Sequence, residues 1–274
     1  MTPFQAITLG ITQGLTEFLP ISSIAHLRIV PALLGWEDPG AAFSAVIQLG
    51  TLLAVVIYFR EDLRRLLWAI AKSPRERQKS DDIHARLSWS ILYGTFPIVV
   101  FGVLFKEAVT GPFIRSLQVI SGSLILLAIV MVIAESRGQQ KKGLEDLSLG
   151  GAFFIGCAQA LALIPGMSRS GTTITAGLFT GLTSAASARF SFLLGSPAIL
   201  LAGIFELKDL LEAGLGNEGL FSLLLGITFA FVSGYFAIDF LLRYLQTHSL
   251  RLFIVYRILL GVLLLVLASL GLIS

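Results

Sequence analysis

Charge is scarce in this chain. Of 274 residues only 14% are charged, 55% are hydrophobic, and the mean hydropathy is +0.85. A soluble domain carries nearly twice that charge fraction. The shortage therefore excludes an ordinary water-soluble enzyme and marks a polytopic membrane protein. Cysteine is almost missing. Cys157 alone can form no disulfide within the chain and no thiolate metal site, and in its apolar run it reads as a small packing residue. No lysine or arginine precedes Arg28, which argues against a cleaved signal peptide. Alternating apolar–polar runs are lacking too, so helices are expected rather than an outer-membrane barrel. The net charge of +3 is small and follows topology. Nucleic acid is not an expected partner; the bilayer is.

What is present is a series of long apolar runs. Six have the length a bilayer demands, at about 41–59, 88–106, 117–135, 186–205, 220–242 and 252–272. Two more, at about 3–35 and 149–182, are interrupted. The first breaks at Leu19-Pro20-Ile21-Ser22-Ser23, the second at Pro165-Gly166-Met167-Ser168-Arg169-Ser170-Gly171. Proline, glycine and serine in mid-run predict two half-helices joined by a turn, entering and leaving on the same side. Irregular backbone at that depth is tolerated only inside protein or along a polar cavity.

The two halves echo each other. Gly10, Gln13 and Pro20 match Gly156, Gln159 and Pro165. Leu49-Gly50, Phe59 and Asp62 match Leu194-Gly195, Phe205 and Asp209, and Gly122 matches Gly261. The expectation is one membrane domain over 1–274, with repeat one at about 3–136 and repeat two at about 149–272. Each unit holds a re-entrant pair and three spans. Three crossings is an odd number, so the second unit is expected upside down, with a binding site at the interface. The predicted fold is thus an all-α integral membrane protein. It has six transmembrane helices plus two re-entrant helix-turn-helix segments in an inverted-topology repeat.

Basic residues set the orientation. Arg60, Arg64, Arg65, Lys72, Arg75, Arg77, Lys79 and Arg86 follow the first span. Arg137, Lys141 and Lys142 follow the third, and Arg243 and Arg251 follow the fifth. The opposite side carries Arg28, Lys106, Arg115 and Lys208. The positive-inside rule puts the larger set in the cytoplasm, with both termini and the first re-entrant pair facing outward.

An arginine at apparent membrane depth is expensive, so Arg169 marks a functional site by default. Around it Gly166, Ser168, Ser170, Gly171 and Thr173 offer hydroxyls, small residues and backbone N–H groups. Those are the parts of an anion cradle, with phosphate the leading candidate. In the first break Gln13 and Glu17 stand i, i+4 on one helix face. Glu17 must there be paired, protonated or metal-bound, and Arg169 and Arg257 are its candidate partners. Ser22 and Ser23 precede His26 by four and three residues, so either hydroxyl is expected near the imidazole. A serine beside a histidine base is the minimal activated nucleophile. The competing reading is that these serines only cap the second half-helix. Arg257 reads either as a second phosphate contact or as a structural tether, and Arg189 as the mark of a helix end.

These motifs resemble a known family. Gln13 to Glu17, then Phe18-Leu19-Pro20-Ile21-Ser22-Ser23 and His26, follow its first signature. Pro165 to Thr173 follow its second, and Phe190-Ser191-Phe192-Leu193-Leu194 with Pro197, and Tyr256-Arg257, also match. The chain resembles, over essentially its whole length, the undecaprenyl-diphosphate phosphatases of the bacitracin-resistance type. The signatures of the other lipid-phosphatase family are not found. The resemblance implies an inner-membrane enzyme that hydrolyses undecaprenyl diphosphate to the monophosphate, recycling the lipid carrier for peptidoglycan. It implies a polyprenyl diphosphate substrate, a divalent cation (Mg²⁺ or Ca²⁺) near Glu17, and a site open to the periplasmic side. It leaves a homodimer open. Carried over position by position, Glu17, Ser23, His26 and Arg169 are the catalytic set. Gln13, Ser22, Gly166, Ser168, Ser170, Gly171, Thr173 and Arg257 are assigned to substrate. Two positions depart from the pattern. Gln13 stands where many members have glutamate, and Ile24-Ala25 replaces the usual hydroxyl residue and glycine.

The expected mechanism is attack by Ser23 on the terminal phosphorus with His26 as proton acceptor. Direct attack by water, or by His26, is the alternative. The rival from another class is an inverted-repeat transporter or flippase of polyprenyl phosphate, which has no need of a serine–histidine pair.

Overall fold

The computed structural model describes residues 1–71, 83–105, 107, 111, 113–114, 116–213, 216–271 and 273, with the side chains of 213 and 216–218 excepted. Lys72, Arg75, Arg77, Lys79, Lys106 and Arg115, used above for orientation, lie outside the described residues. Every regular element among the described residues is helical. In chain order they are α1 (Pro3–Phe18), α2 (Ser23–Leu34), α3 (Gly40–Tyr58), α4 (Arg60–Ala71), α5 (Ile83–Leu104) and α6 (Leu117–Arg137). Then come α7 (Leu149–Ala160), α8 (Arg169–Phe179), α9 (Ser184–Ala213), α10 (Gly216–Thr247) and α11 (Arg251–Ser269). Helices α3, α5, α6, α9, α10 and α11 are long and apolar enough to cross a membrane. They are the six expected spans, although α9 and α10 run well past the expected ends.

Their surfaces suit lipid. Helix α11 turns Leu252, Val255, Leu259, Val262, Leu263 and Val266 outward while burying Phe253, Ile254, Arg257, Gly261 and Leu264. In hydrocarbon the outward face needs no covering, and close packing decides which faces meet. Glycine provides that packing where α1 lies against α10 and α7 against α5. A Cβ on Gly10 would stand 2.4 Å from the Gly226 carbonyl oxygen, and one on Gly156 only 2.2 Å from that of Gly94. Alanine at either place would push the two helices apart. Other contacts also pair up: α10 packs on α3 and α5 on α9, while α3 meets α9 and α6 meets α11; the contacts of α8 with α9 and α6 have no equal at α2.

Each interrupted run is two helices with a break between them. Helix α1 starts with a capping box from Thr2 and Gln5 and Pro3 in its first turn. It stops at Phe18 because Pro20 has no N–H to give and forces Leu19 to be extended (φ −68°, ψ 139°). Helix α7 runs into a 3-10 turn, Leu161–Leu163, and Ile164 is likewise extended ahead of Pro165. Between the halves the chain crosses from α6 to α7 through a segment pinned to the end of α8. There the N–H groups of Lys141 and Lys142 both reach the Gly181 carbonyl, at 3.0 Å each. Glu135 at the end of α6 accepts the Leu250 N–H and so caps α11, whose own cap residue has no polar side chain. Arg189 at the start of α9 forks onto Asp62 of α4, at 2.7 and 2.8 Å.

Candidate active site

The helices that follow the two breaks start in the same way. Ser22 and Ser168 have φ of 75° and 61°, a region that residues with a Cβ seldom occupy. That turn lets each serine cap its helix twice. Ser22 Oγ accepts the Ala25 N–H at 3.3 Å and its carbonyl accepts the His26 N–H at 3.2 Å. Ser168 Oγ accepts the Gly171 N–H at 3.1 Å and its carbonyl the Thr172 N–H at 2.9 Å. The first two N–H groups of each helix, on Ser23 and Ile24 and on Arg169 and Ser170, then have no acceptor among the described residues. Each start is left with open donors and the positive end of a helix dipole.

Glu17 joins the two starts. It sits in the last turn of α1, only 6% exposed. Its Oε2 accepts from the Ser23 hydroxyl at 2.5 Å and from Gln13 Nε2 at 2.7 Å. Its Oε1 accepts from Arg169 Nη2 at 2.5 Å. Arg169 also donates through Nη1 to the Gly195 carbonyl of α9 at 2.7 Å. A Cβ on Gly195 would fall 2.5 Å from that nitrogen, so glycine leaves room for the guanidinium. Among the described residues two of the five guanidinium N–H groups are engaged, which leaves three for a ligand. A second link runs between the breaks, because Ser170 donates to the Leu19 carbonyl at 3.0 Å and lies 3.1 Å from the Ser168 hydroxyl.

Arg257 behaves differently. It is fully buried on α11 and faces carbonyl oxygens. Nε donates to Leu124 at 3.2 Å, Nη1 to Pro20 at 3.1 Å, and Nη2 to Ser123 at 3.3 Å and Gly166 at 2.8 Å. Pro20 and Gly166 belong to different breaks, so this side chain clamps one to the other. Of the two readings of Arg257, the geometry is that of the tether, with a single N–H left over among the described residues.

The structure also parts from the expected serine–histidine contact. Ser22 Oγ is engaged in capping and Ser23 Oγ in the bond to Glu17. The imidazole is held elsewhere. Nδ1 lies 2.7 Å from the Ser22 carbonyl, and Nε2 lies 2.6 Å from the Tyr256 hydroxyl. Thr173 turns away from the cluster, toward the Arg169 carbonyl at 2.7 Å and the Ser191 hydroxyl at 2.6 Å, in the α8–α9 contact. The Gly171 N–H is consumed by the Ser168 cap. Two contributors had no site role assigned from sequence, Gly195 and Tyr256. The signals for them were the repeat match of Gly195 with Gly50 and the family motif that holds Tyr256. Among the described residues no three of His, Cys, Asp and Glu gather as a metal site. Gln13 Oε1, buried beside Glu17, has no hydrogen-bond partner.

Taken together, the helices and the cluster define a polytopic membrane protein. It keeps a buried carboxylate and hydroxyl beside a partly exposed guanidinium where two interrupted helices meet. Comparison with known proteins makes the class specific: the chain belongs to the bacitracin resistance protein BacA family, whose model matches residues 6–263. An undecaprenyl-diphosphatase of Myxococcus xanthus is 52% identical over 274 residues, covering 100% of this chain and 92% of that protein. One from Chloroherpeton thalassium is 53% identical over 279 residues, covering 99% and 98%. One from Chlorobium phaeovibrioides is 50% identical over 281 residues, covering 99% of both.

Proposed function

We propose that this chain is an undecaprenyl-diphosphatase. It releases the terminal phosphate of undecaprenyl diphosphate and returns undecaprenyl phosphate to cell-wall synthesis. Beyond family membership, one observation carries the reading. The carboxylate that binds the Ser23 hydroxyl also binds a guanidinium with donors to spare, where two helix starts converge.

The diphosphate lies between those starts. The free donors of Arg169 and the N–H groups of Ser23, Ile24, Arg169 and Ser170 hold its oxygens. Ser23 Oγ bonds to the terminal phosphorus as Glu17 Oε2 takes the hydroxyl proton. The bond from that phosphorus to the bridging oxygen breaks, and undecaprenyl phosphate leaves. Water then attacks the phosphoserine, inorganic phosphate departs, and Glu17 returns the proton to Ser23. Glu17, rather than His26, is the base in this scheme because it already accepts the Ser23 proton. A divalent cation, Mg²⁺ or Ca²⁺, fits as a companion of the substrate. The unpartnered Gln13 Oε1 and Glu17 Oε1, the latter shared with Arg169, would be its protein ligands. When bound it offsets charge on the phosphates.

The architecture belongs to the same proposal. α1–α2 and α7–α8 are re-entrant pairs of two inverted repeats, about 3–136 and 149–272. The matched helix contacts and the matched Gly10 and Gly156 approaches support this. In the same reading the protein lies in the bacterial cytoplasmic membrane with the site toward the periplasm, an orientation the charge bias supports.

A transporter of polyprenyl phosphate could share this architecture, but the Ser23–Glu17 bond serves no purpose in it. The deciding experiment measures inorganic phosphate released from C55 diphosphate by the purified protein in detergent. The assay is run with Mg²⁺ and again with a chelator. Release that stops with chelator, and falls at least about 100-fold in Ser23→Ala, is the expected result. Lipid movement without phosphate release would make it a transporter. Ser23→Ala at near-full turnover would leave water or His26 as the nucleophile.

A further inference from the structure

The scheme above leaves His26 without a partner on the substrate side, and Tyr256 without any part at all. We propose that Tyr256 is the positioning residue of His26. In this arrangement its hydroxyl, together with the Ser22 carbonyl, fixes the imidazole in the tautomer that carries its proton on Nδ1 and holds Nε2 as the acceptor of the phenol proton, so that proton exchange at Nε2 runs through that hydroxyl. The proposal rests on the phosphatase reading only for its kinetic consequence.

The tautomer follows from the donor inventory. A carbonyl oxygen can only accept, so the 2.7 Å contact to Ser22 requires a proton on Nδ1. In the neutral ring Nε2 is then a bare acceptor, and the Tyr256 hydroxyl at 2.6 Å is its donor. The two rings are also stacked, with centroids 5.7 Å apart and planes 12° from parallel. The imidazole is thus held at both nitrogens and on one face. Ser22 is rigid in turn, because its unusual φ of 75° is bound up with capping α2. Tyr256 is placed by its neighbour. Arg257 clamps both breaks through carbonyls, so α11 cannot slide without losing those bonds. One helix therefore sets both the spacing of the breaks and the aim of His26. The residue is 8% exposed, and without the phenol its Nε2 would be an unpaired polar atom in an apolar setting, which is unfavourable.

A histidine fixed at one nitrogen delivers or receives a proton at the other, and loss of the correct tautomer is a known way to lose rate without losing structure. Tyr256→Phe keeps the ring and its stacking and removes only the hydroxyl. The chain has three histidines, His26, His84 and His248, so ¹⁵N-histidine NMR of the detergent-solubilised protein resolves the ring directly. The expected spectrum of the unmodified protein shows His26 protonated at Nδ1, with Nε2 shifted by a strong hydrogen bond. In Tyr256→Phe that shift is lost. In the same variant kcat for phosphate release falls roughly 10- to 100-fold, KM stays within about twofold, and the Tm falls by only a few degrees, the cost of the unpaired nitrogen. A His26 ring protonated only at Nε2 in the unmodified protein would overturn the proposal. So would a Tyr256→Phe variant with an unaltered His26 spectrum or full kcat. If the unmodified protein released no phosphate at all, the phosphatase reading would fall, yet the two spectra would still decide whether Tyr256 governs the tautomer.

Discussion

The break after α1 and the break before α8 share a backbone and differ in their chemistry. Both have an extended residue ahead of a proline, a serine at positive φ, a double cap, and two unpaired N–H groups at the helix start. The first residue of α2 is Ser23 and the first residue of α8 is Arg169. Four residues beyond Gln13 stands Glu17, whereas four beyond Gln159 stands Leu163. The first break thus carries a carboxylate and a hydroxyl, and the second carries a fixed positive charge. Gln159 is left fully buried with neither amide atom bonded, as expected where the carboxylate has no counterpart. The lesson is one of divided labour. A duplicated helix interruption supplies a phosphate-sized opening on both sides, while reactivity has been placed on one side and charge on the other.

Three substitutions test that division. The largest effect is expected from Glu17→Gln, which keeps shape but removes the proton acceptor and the partner of Arg169. Turnover should drop by about 10³-fold or more, seen in phosphate release. A loss of less than tenfold would take the chemistry away from the first break. Next is Arg257→Met. It unhooks the breaks from each other and leaves the Pro20 and Gly166 carbonyls without a donor, at a cost of roughly 3 kcal/mol. That should lower the Tm in detergent by about 10 °C and impair activity with it. A variant that kept its Tm but bound substrate poorly would return Arg257 to the phosphate contacts. The smallest effect is expected from Gly195→Ala. Its methyl group displaces the Arg169 guanidinium, not backbone. KM should rise about tenfold while kcat and Tm hardly move, since uniform binding is what is lost. If kcat fell instead, the second break would share in the chemistry.

Composition made much of this molecule legible in advance. Six spans follow from apolar length, and the breaks follow from proline, glycine and serine in mid-run. Glu17 and Arg169, 152 residues apart, were among the groups weighed as partners, because an isolated charge at that depth needs an opposite one. The hydroxyl directions were not legible. Spacing of three or four residues says that Cβ atoms share a face. It does not say that a capping serine at positive φ turns its oxygen to a backbone N–H, or that Glu17 outcompetes His26 for Ser23. The role of Arg257 was open for a similar reason. Its partners are carbonyls, and backbone acceptors leave no trace in residue identity. Gly195 and Tyr256 were visible only as a repeat echo and a family match, without a site role, because their importance lies in what stands next to them in space.

The two capping serines have a consequence for engineering. Glycine at 22 or 168 would relax the torsion but delete the oxygen that closes the first turn. Alanine would keep the torsional penalty and lose the oxygen as well. Neither position offers an easy route to a hardier protein. Selection for heat tolerance in the laboratory should therefore improve the lipid-facing spans while leaving Ser22 and Ser168 untouched.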